Sequence, residues 1–210
     1  MPVDAILLAD QLGVTVAVDR SQAGRGRHKR MAGNLAIFLS PDDRPERLQW
    51  AAAHELGEMF ACEVFHRAGA DIDQVEPTLR EQVANLFASR LLLPTRSFFD
   101  DARRTESDLL ELKAIYRTAS HELIAMRLLD LPEPSIITIF DQGQLTRRRS
   151  NSNSHAPQLQ SAERDCWSGI HNHNSPRERS ADDFTVQGWP VHEQGWKREI
   201  LRTMPNVCDW

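Results

Sequence analysis

The chain has 210 residues, of which 40% are hydrophobic, with a formal charge of -5 and a pI near 5.9. This length and composition suffice to bury a core in one large domain, or in one domain with a small appendage, and they exclude a disordered polypeptide. The acidic balance gives no general attraction to nucleic acid or anionic membrane, so either interaction would have to be local.

Cysteine usage and the amino terminus indicate the compartment. Cys62, Cys166 and Cys208 are an odd number without C-x-x-C spacing, which indicates neither a disulfide framework nor a structural zinc knuckle. The first residues, MPVDAILLADQLG, have no basic region and carry two aspartates, unlike a signal peptide. No apolar run approaches the roughly 20 residues of a membrane span. We therefore expect a cytoplasmic protein without a membrane partner.

The first forty residues predict one helix and two strands. Apolar residues at helical spacing indicate a helix over 3–12 that ends at Gly13, and the alternation in 14–19 is typical of a strand. The run NLAIFLS at 34–40 predicts a second strand. The stretch between the strands, RSQAGRGRHKRMAG, is interpreted as a mobile basic loop. It is either solvated surface or a contact for an extended substrate or a phosphate, through Arg25, Arg27, Lys29 and Arg30.

Two long amphipathic helices follow. The first covers 45–66 and contains a single glycine, Gly57, which costs a helix about 1 kcal/mol and therefore suggests close packing at that point. The second covers 78–93 and ends before Pro94.

The remainder predicts short helices and strands. DLLELKAIYR and HELIAMRLLDL are two short helices, PSIITIFDQGQLTRRRS is a hairpin, and FTVQGWPV is a strand. A linker or long loop at 151–158 and a short helix near Cys166 lie between the hairpin and the last strand. Four tryptophans are interpreted as core aromatics of a small C-terminal module, or else as a peptide-contacting surface: Trp167, Trp189, Trp196 and Trp210.

The two short helices have the outline of a helix-turn-helix, which raises DNA binding as an alternative to simple helical packing. Between Thr105 and Asp130 five acidic residues stand against three basic ones, which disfavours phosphate contact. We therefore expect nucleic acid to be an unlikely partner.

The stretch HELGE in the first long helix is close to the H-E-x-x-H signature of zinc proteases. His54 and Glu58 are four residues apart, so their side chains share one helix face, and Glu55 projects beside them. A carboxylate oxygen binds zinc at about 2.0–2.2 Å, so Glu58 can replace an imidazole as a ligand.

The second long helix offers a third ligand. Glu81 and Asn85 share a face, and an ionised side chain turned inward there needs a partner, which a metal held by the first helix would supply. Asn85 is then placed to hydrogen-bond the outer nitrogen of His54. The alternative is that the acidic residues are solvated helix surface, with Glu81 paired to Arg80 or Arg90.

His-Glu-Leu-Gly on one helix, followed on the next by Glu-x-x-Ala-Asn-x-Phe-Ala and Leu-Leu-Leu-Pro, resembles the ImmA/IrrE family of bacterial metallopeptidases, which is similar to a small gluzincin. The resemblance covers about residues 5–95, and more loosely extends to Leu131. It implies that His54 and Glu81 are metal ligands and that Glu55 is the general base. The second-histidine position of the family falls on Glu58.

Other histidines are candidates for the missing imidazole. His66 is too far along the helix, while His121, His171 and His173 come from later segments and are either a fourth ligand, an oxyanion donor, or plain surface or capping residues.

The predicted fold is α+β. A zincin-like metallopeptidase domain over 1–104, a small sheet with its active-site helices, is followed by a helix-turn-helix-like pair at 105–131 and an α+β extension at 132–210. The predicted metal ligands are His54, Glu58 and Glu81, holding Zn²⁺ or, because two carboxylates favour harder ions, Mn²⁺ or Fe²⁺.

The predicted function is a metal-dependent endopeptidase. The resemblance implies a bacterial regulatory protein as substrate, such as a helix-turn-helix repressor, cleaved in stress or mobile-element control. The alternative is a catalytically degenerate metal sensor or regulator that acts by binding protein or DNA.

Overall fold

The computed structural model describes residues 2–22, 24–31, 33–152 and 155–206, and of Ile72 only the backbone. Cys208 and Trp210 lie outside the described residues. The chain falls into two compact units, the first formed by 1–104 with 112–120 and the second by 105–111 with 121–210. The three-part division expected from the sequence stays a prediction.

The first unit begins with α1 (Ala5–Gln11) and a small mixed sheet. Gly13 ends the helix region with φ +75°, a conformation that glycine adopts without a steric penalty. The sheet consists of three strands in the order β1-β3-β2, with β3 parallel to β1 and antiparallel to β2. Their bounds are β1 (Thr15–Val18), β2 (Gly26–Met31) and β3 (Asn34–Leu39).

The interpretation of the basic stretch as a loop was wrong, because GRHKRM forms β2. Its side chains are mostly exposed and charged, so the sequence lacks the alternation of a half-buried strand. Backbone pairing with β3 holds it in place, and charged side chains are typical of such edge strands.

Two long helices pack against each other in this unit: α2 (Pro45–Arg67) and α3 (Pro77–Leu92). Both begin with proline at a first-turn position, where the missing N–H costs no helical hydrogen bond. Between them lies a short 3-10 turn, Ile72–Gln74. A further helix, α4 (Thr95–Arg104), was not predicted from the sequence.

The predicted close packing at Gly57 is confirmed. A Cβ atom there would lie 2.9 Å from the carbonyl oxygen and 3.0 Å from the Cα of Ala84, and 3.2 Å from Cβ of Phe87. Backbone atoms cannot move aside as a flexible side chain can, so the helices approach this closely only because position 57 has no side chain.

The segment 112–120 completes the first unit. It contains most of α5 (Leu109–Ile115) and the turn that follows. Nζ of Lys113 contacts Glu46 at 2.8 Å, the hydroxyl of Tyr116 donates to Asp101 at 2.8 Å, and that of Thr118 donates to the carbonyl of Val3 at 2.8 Å. This short segment is therefore tied to three separate parts of the unit.

The second unit contains an antiparallel sheet in the order β5-β4-β8-β7-β6. Its elements are α6 (His121–Leu128), β4 (Ile136–Asp141), β5 (Gln144–Ser150), α7 (Ser161–His173), β6 (Arg177–Ser180), β7 (Phe184–Pro190) and β8 (Arg198–Pro205). The predicted β4–β5 hairpin is confirmed, and its turn is made by Gln142 and Gly143, both with positive φ.

Helix α7 packs on this sheet over a small apolar core of Phe140, Cys166, Ile170, Val186 and Leu201. The prediction of core tryptophans is confirmed for Trp189, which is buried, and Trp167 packs against the core, whereas Trp196 is exposed. The predicted α+β class is confirmed by both units.

Candidate metal centre

The structure brings the three predicted ligands together. His54 and Glu58 lie on α2 and Glu81 on α3, and one ligand atom from each lies within 4.8 Å of the other two. Nε2 of His54 is 3.6 Å from Oε2 of Glu81. His54 and Glu58 are half-buried, whereas Glu81 is exposed, so the cluster lies at the protein surface with an open side.

The two helices meet at this point because of Gly57. It lies between His54 and Glu58 in α2 and contacts the backbone of α3 at Ala84, one turn from Glu81. The close approach of the helix backbones at Gly57 places the carboxylate of Glu81 over the face that carries the other two ligands.

The cluster lines an open cleft of about 410 Å³. Its walls come from β2, α2 and α3, and they are formed by Gly26, Arg27, His28, His54, Glu55, Glu58, Pro77, Arg80 and Glu81. In a tetrahedral zinc site, ligand bonds of about 2.0–2.2 Å separate neighbouring ligand atoms by about 3.3–3.6 Å. The 3.6 Å between Nε2 of His54 and Oε2 of Glu81 agrees with this separation. One imidazole and two carboxylates are thus a donor set that fits a divalent ion.

The alternative in which Glu81 pairs with Arg80 or Arg90 is not what the structure shows. Among the described residues, the side chain of Glu81 contacts His54 and Asn85. The expected bond from Asn85 to His54 was also wrong, because Nδ2 of Asn85 donates to Oε1 of Glu81 at 3.0 Å. Asn85 lies four residues after Glu81 on the same helix face, so it holds this carboxylate from its own helix.

Glu55 lies beside the cluster, on the sheet side of the cleft. Its carboxylate is almost fully buried and packs over Gly26, where a Cβ atom would come within 2.8 Å of Oε1. Nδ1 of His28 donates to its other oxygen, Oε2, at 2.9 Å. The carboxylate is therefore fixed on both sides by strand β2.

His28 was not singled out from the sequence. Gly26 and His28 are two residues apart on β2, so their contacts with Glu55 come from one strand face, a relation that is hidden when the segment is interpreted as a loop. The hydrogen bond to Glu55 raises the pKa of His28 above its ordinary value of 6.5, against an opposing effect of burial, and the charges of Glu55 and Glu58 raise it further.

Two of the histidines predicted as candidates for a fourth ligand, His171 and His173, contact other groups. Nδ1 of His171 lies 2.9 Å from Glu199, and Nδ1 of His173 lies 2.9 Å from the carbonyl of Gly169. Both contacts are within the second unit. His66 is exposed near the end of α2.

Comparison with protein families identifies the class. The family model for the IrrE N-terminal-like domain, Peptidase_M78, matches residues 9–129, which include all of the helices and strands that line the cleft. The chain belongs to this family, and the resemblance inferred from its motifs is confirmed. None of the curated protein sequences matches the chain closely enough to add to this assignment.

Among solved structures, the chain is similar in fold to a Mycobacterium tuberculosis transcriptional regulator. The TM-score is 0.68 at 18% sequence identity, and the match covers 96% of this chain and 69% of the other. At this identity the comparison supports the fold of the described chain. Among the described residues, no helix is both long and apolar enough to span a membrane.

Proposed function

We propose that this chain is a metal-dependent endopeptidase whose substrate is a bacterial regulatory protein, such as a helix-turn-helix repressor. The observation that carries the proposal is the convergence of His54, Glu58 and Glu81 in a cleft that also contains the buried carboxylate of Glu55. The family assignment supports peptidase chemistry, and the open cleft leaves room for a peptide.

His54, Glu58 and Glu81 would hold the ion. When bound, it would supply Lewis acidity, polarising the scissile carbonyl and lowering the pKa of a water molecule. Glu55 then accepts the proton of the attacking water and returns it to the leaving amine. Because one oxygen of Glu55 is held by His28 and the other packs over Gly26, the carboxylate is oriented before substrate arrives.

Zn²⁺ is the ion we propose, with Mn²⁺ and Fe²⁺ as alternatives. His54 supplies a nitrogen ligand, which suits zinc, while two carboxylates shift the preference toward harder ions. The second carboxylate also reduces the Lewis acidity available for hydrolysis, because it adds a negative charge to the metal. Activity lower than that of a two-histidine site is therefore expected.

Strand β2 supports an extended peptide as the substrate. Among the described strands it pairs only with β3, so its other edge can accept an extended peptide by backbone hydrogen bonds. Arg27 and Lys29 are exposed on this strand, and Arg27 and Arg80 line the cleft, so acidic segments of a substrate are favoured there. This edge would bind the backbone of a substrate peptide, rather than one particular side chain of it.

The second candidate function is a catalytically degenerate sensor that binds metal and acts through a partner. The observation that favours it is Glu58 in the second-histidine position. Of the two kinds of partner, DNA is less favoured than protein, because Nζ of Lys113 is held by Glu46 and the side chain of Arg127 is buried.

A cytoplasmic location is part of the proposal and is supported by the unpaired cysteines Cys62 and Cys166.

Metal content and cleavage, measured together, test the proposal. The purified chain is loaded with Zn²⁺, and its cleavage of a proteome-derived peptide library is followed by mass spectrometry. Glu81→Ala should lose the ion held by this cluster. Glu55→Gln should keep that ion and slow cleavage by about 10²–10⁴-fold, as expected on removal of a general base. Glu58→His should bind Zn²⁺ and cleave faster.

Glu63→Gln is the matched control, because Glu63 is exposed on α2 and pairs with Arg67 away from the cleft. It should change neither metal content nor cleavage. An amount of bound metal per chain that Glu81→Ala leaves unchanged would rule out the site. Bound metal with cleavage unaffected by Glu55→Gln would favour the sensor.

A further inference from the structure

Strand β2 presents to the cleft a histidine whose outer ring nitrogen has no partner among the described residues. Nδ1 of His28 lies 2.9 Å from Oε2 of Glu55, and within the described chain this is the one hydrogen bond of its side chain. The side chain of His28 is 36% exposed, whereas that of Glu55 is 8% exposed. The outer part of the ring, with Nε2, is therefore what His28 contributes to the wall of the cleft.

The contact with Glu55 determines how the ring is oriented. A general base must be ionised before it accepts a proton, and an ionised carboxylate only accepts hydrogen bonds, so Nδ1 of His28 carries the hydrogen of this contact. Nε2 then points away from Glu55. It is free to donate to a group in the cleft whenever it carries a hydrogen as well.

The charges around His28 favour a ring with a hydrogen on both nitrogens. The hydrogen bond to Glu55 raises the pKa of His28 against the opposing effect of burial, and the charges of Glu55 and Glu58 on α2 raise it further. On β3 the residue opposite His28 is the uncharged Ile37. The other titratable groups that line the cleft are Arg27, His54, Arg80 and Glu81. At a given pH, more of the His28 rings are therefore protonated than in an unperturbed histidine.

The position of His28 on β2 brings it close to a bound substrate. Gly26 and His28 both lie on the face of β2 that is turned toward Glu55. An extended peptide paired with the edge of β2 opposite β3 would run about 4.8 Å from the backbone of the strand. The ring of His28 and the ligand cluster line the same cleft of about 410 Å³, so a peptide bond held over the cluster lies within reach of Nε2.

Stabilisation of negative charge is what the ligand set supplies poorly. Glu58 adds a second carboxylate to the cluster, and this reduces the Lewis acidity available to a substrate carbonyl. A hydrogen-bond donor directed at the oxygen on which negative charge develops supplies stabilisation of the same kind. A protonated imidazole is a strong donor because it is charged.

We propose that Nε2 of His28 donates a hydrogen bond to the carbonyl oxygen of the scissile peptide bond, and that this bond strengthens as water adds to the carbonyl. The role rests on the proposed function, because it requires a peptide in the cleft. No proton leaves the ring, since Glu55 carries the proton of the water to the leaving amine and Nε2 keeps its hydrogen. His28 is thus a catalytic residue as well as a partner of Glu55.

Two substitutions separate the roles of the two ring nitrogens. In His28→Asn the amide nitrogen takes the place of Nδ1 and still donates to Glu55, but no donor remains in the cleft. In His28→Gln the amide nitrogen takes the place of Nε2 and keeps a neutral donor there. In the Zn²⁺-loaded chain, with a cleaved library peptide as substrate, His28→Asn should lower kcat by about 10²–10³-fold at unchanged KM. His28→Gln should lower it less, whereas a residue that only holds Glu55 predicts the opposite order.

Binding of a tetrahedral analogue gives a readout that does not depend on turnover. A phosphinic peptide with the sequence of the cleaved substrate carries a negatively charged oxygen in place of the carbonyl oxygen. His28→Asn should weaken its binding by the same factor by which kcat/KM falls. Metal content and far-UV circular dichroism should be unchanged in both variants. His66→Asn is the matched control, because His66 is exposed near the end of α2 and outside the cleft, and it should alter neither binding nor cleavage.

A measurement on the unmutated chain covers the case in which the variants fail to fold. NMR titration of the Zn²⁺-loaded wild type gives the pKa of His28. As the pH rises through that value, Nε2 loses its hydrogen, so kcat/KM should fall there. A kcat/KM that stays level across this range overturns the donor role, and His28→Gln should lack this decline because its amide does not titrate.

The outcomes distinguish this proposal from the proposed function. A wild type that cleaves no peptide, or whose cleavage is unaffected by Glu55→Gln, removes the proposed function and the role of His28 with it. Cleavage that depends on Glu55 but is unchanged in His28→Asn overturns the donor role alone. The same holds if His28→Gln lowers kcat more than His28→Asn does, since His28 would then act by holding Glu55.

Discussion

Glu58 changes the electrostatics of its cleft as well as its ligand set. It adds a carboxylate close to Glu81, and its charge extends to His28 across the cleft, where it helps to raise the pKa of the imidazole. The hydrogen bond between Nδ1 of His28 and Glu55 raises the same pKa, so protonation of His28 places a positive charge beside this carboxylate. The charge of the cleft is therefore partly compensated by strand β2.

The first prediction concerns the pH dependence of this pair. The pKa of His28 is raised in the folded chain, so the pair stabilises the fold fully below the unfolded value near 6.5, and the stabilisation is lost as the pH rises through the folded pKa. In chelator-treated protein, the difference in unfolding free energy between wild type and His28→Ala should therefore shrink with increasing pH. Denaturant unfolding at a series of pH values measures it.

Glu58→Gln serves as the control for this titration. It removes one charge that raises the pKa of His28 while leaving the hydrogen bond to Glu55, so the loss of stabilisation should move to lower pH. A difference between wild type and His28→Ala that does not change with pH would contradict the assignment.

The second prediction concerns the two described cysteines. Burial raises the pKa of the Cys166 thiol to about 11, whereas Cys62 is exposed on α2. At pH 8 roughly one Cys166 thiol in a thousand is ionised, so it should resist alkylation while Cys62 reacts. Iodoacetamide labelling with peptide mass spectrometry measures both sites, and labelling under denaturing conditions should make them equally reactive. Equal rates in the native chain would contradict the buried position.

The candidate ligands could be predicted from the sequence because helical spacing is local. His54 and Glu58 share a face by their separation alone, and Glu81 and Asn85 repeat the same relation. The contact between His28 and Glu55 could not be predicted, since it joins a strand and a helix distant in sequence. Likewise the partner of Asn85 depended on side-chain rotamers, which spacing does not determine.

Among the elements, the contact between α2 and α3 determines whether the ligands meet. Gly57→Ala should be destabilising, because inserting a methyl group against the backbone of Ala84 costs about 1–3 kcal/mol, only partly offset by about 1 kcal/mol of improved helix propensity. The helices should separate, and the affinity for Zn²⁺ should fall. Thermal unfolding and metal titration measure the two effects.

Cys62→Ala is the control for that substitution, because it places the same residue on an exposed part of α2. It should leave metal affinity unchanged. Undiminished affinity in Gly57→Ala would show that the helix approach does not position Glu81.

Strands and helices differed in how well the sequence predicted them. Helices α2 and α3 were predicted closely because apolar periodicity and proline mark their limits. The edge strand β2 was missed because its charged side chains follow no alternation and its pairing with β3 is made by the backbone. The same reason applies to β6, an edge strand with exposed charged residues.

In the molecule as a whole, the chain passes from the first unit into the second and back before α6. Residues 112–120 belong to the first unit through their contacts with Val3, Glu46 and Asp101. Sequence patterns identified the short helices here, but which unit each packs into depends on contacts distant along the chain. The α+β class could be predicted from local patterns alone. The return of residues 112–120 to the first unit could not, because it depends on contacts between residues distant in sequence.

The fourth prediction follows from that crossing. A chain shortened to residues 1–104 should unfold at a lower temperature than one shortened to 1–120, because only the longer one keeps Lys113, Tyr116 and Thr118. Each of these part-buried hydrogen bonds contributes about 0.5–1.5 kcal/mol to the stability of the unit. Thermal unfolding followed by circular dichroism compares them, and equal midpoints would support the boundary at residue 104 predicted from the sequence.

The edge of β2 that no described strand covers also bears on the behaviour of many copies in solution. An edge able to receive a peptide is equally able to receive the same strand of a neighbouring copy, and such pairing would start aggregation. Here Arg27, Lys29 and Arg30 repel an identical strand while still attracting one of opposite charge. The positive charge therefore disfavours pairing between the β2 strands of two copies, while the edge remains available to a peptide of opposite charge. Because salt screens this repulsion, self-association should increase at high salt.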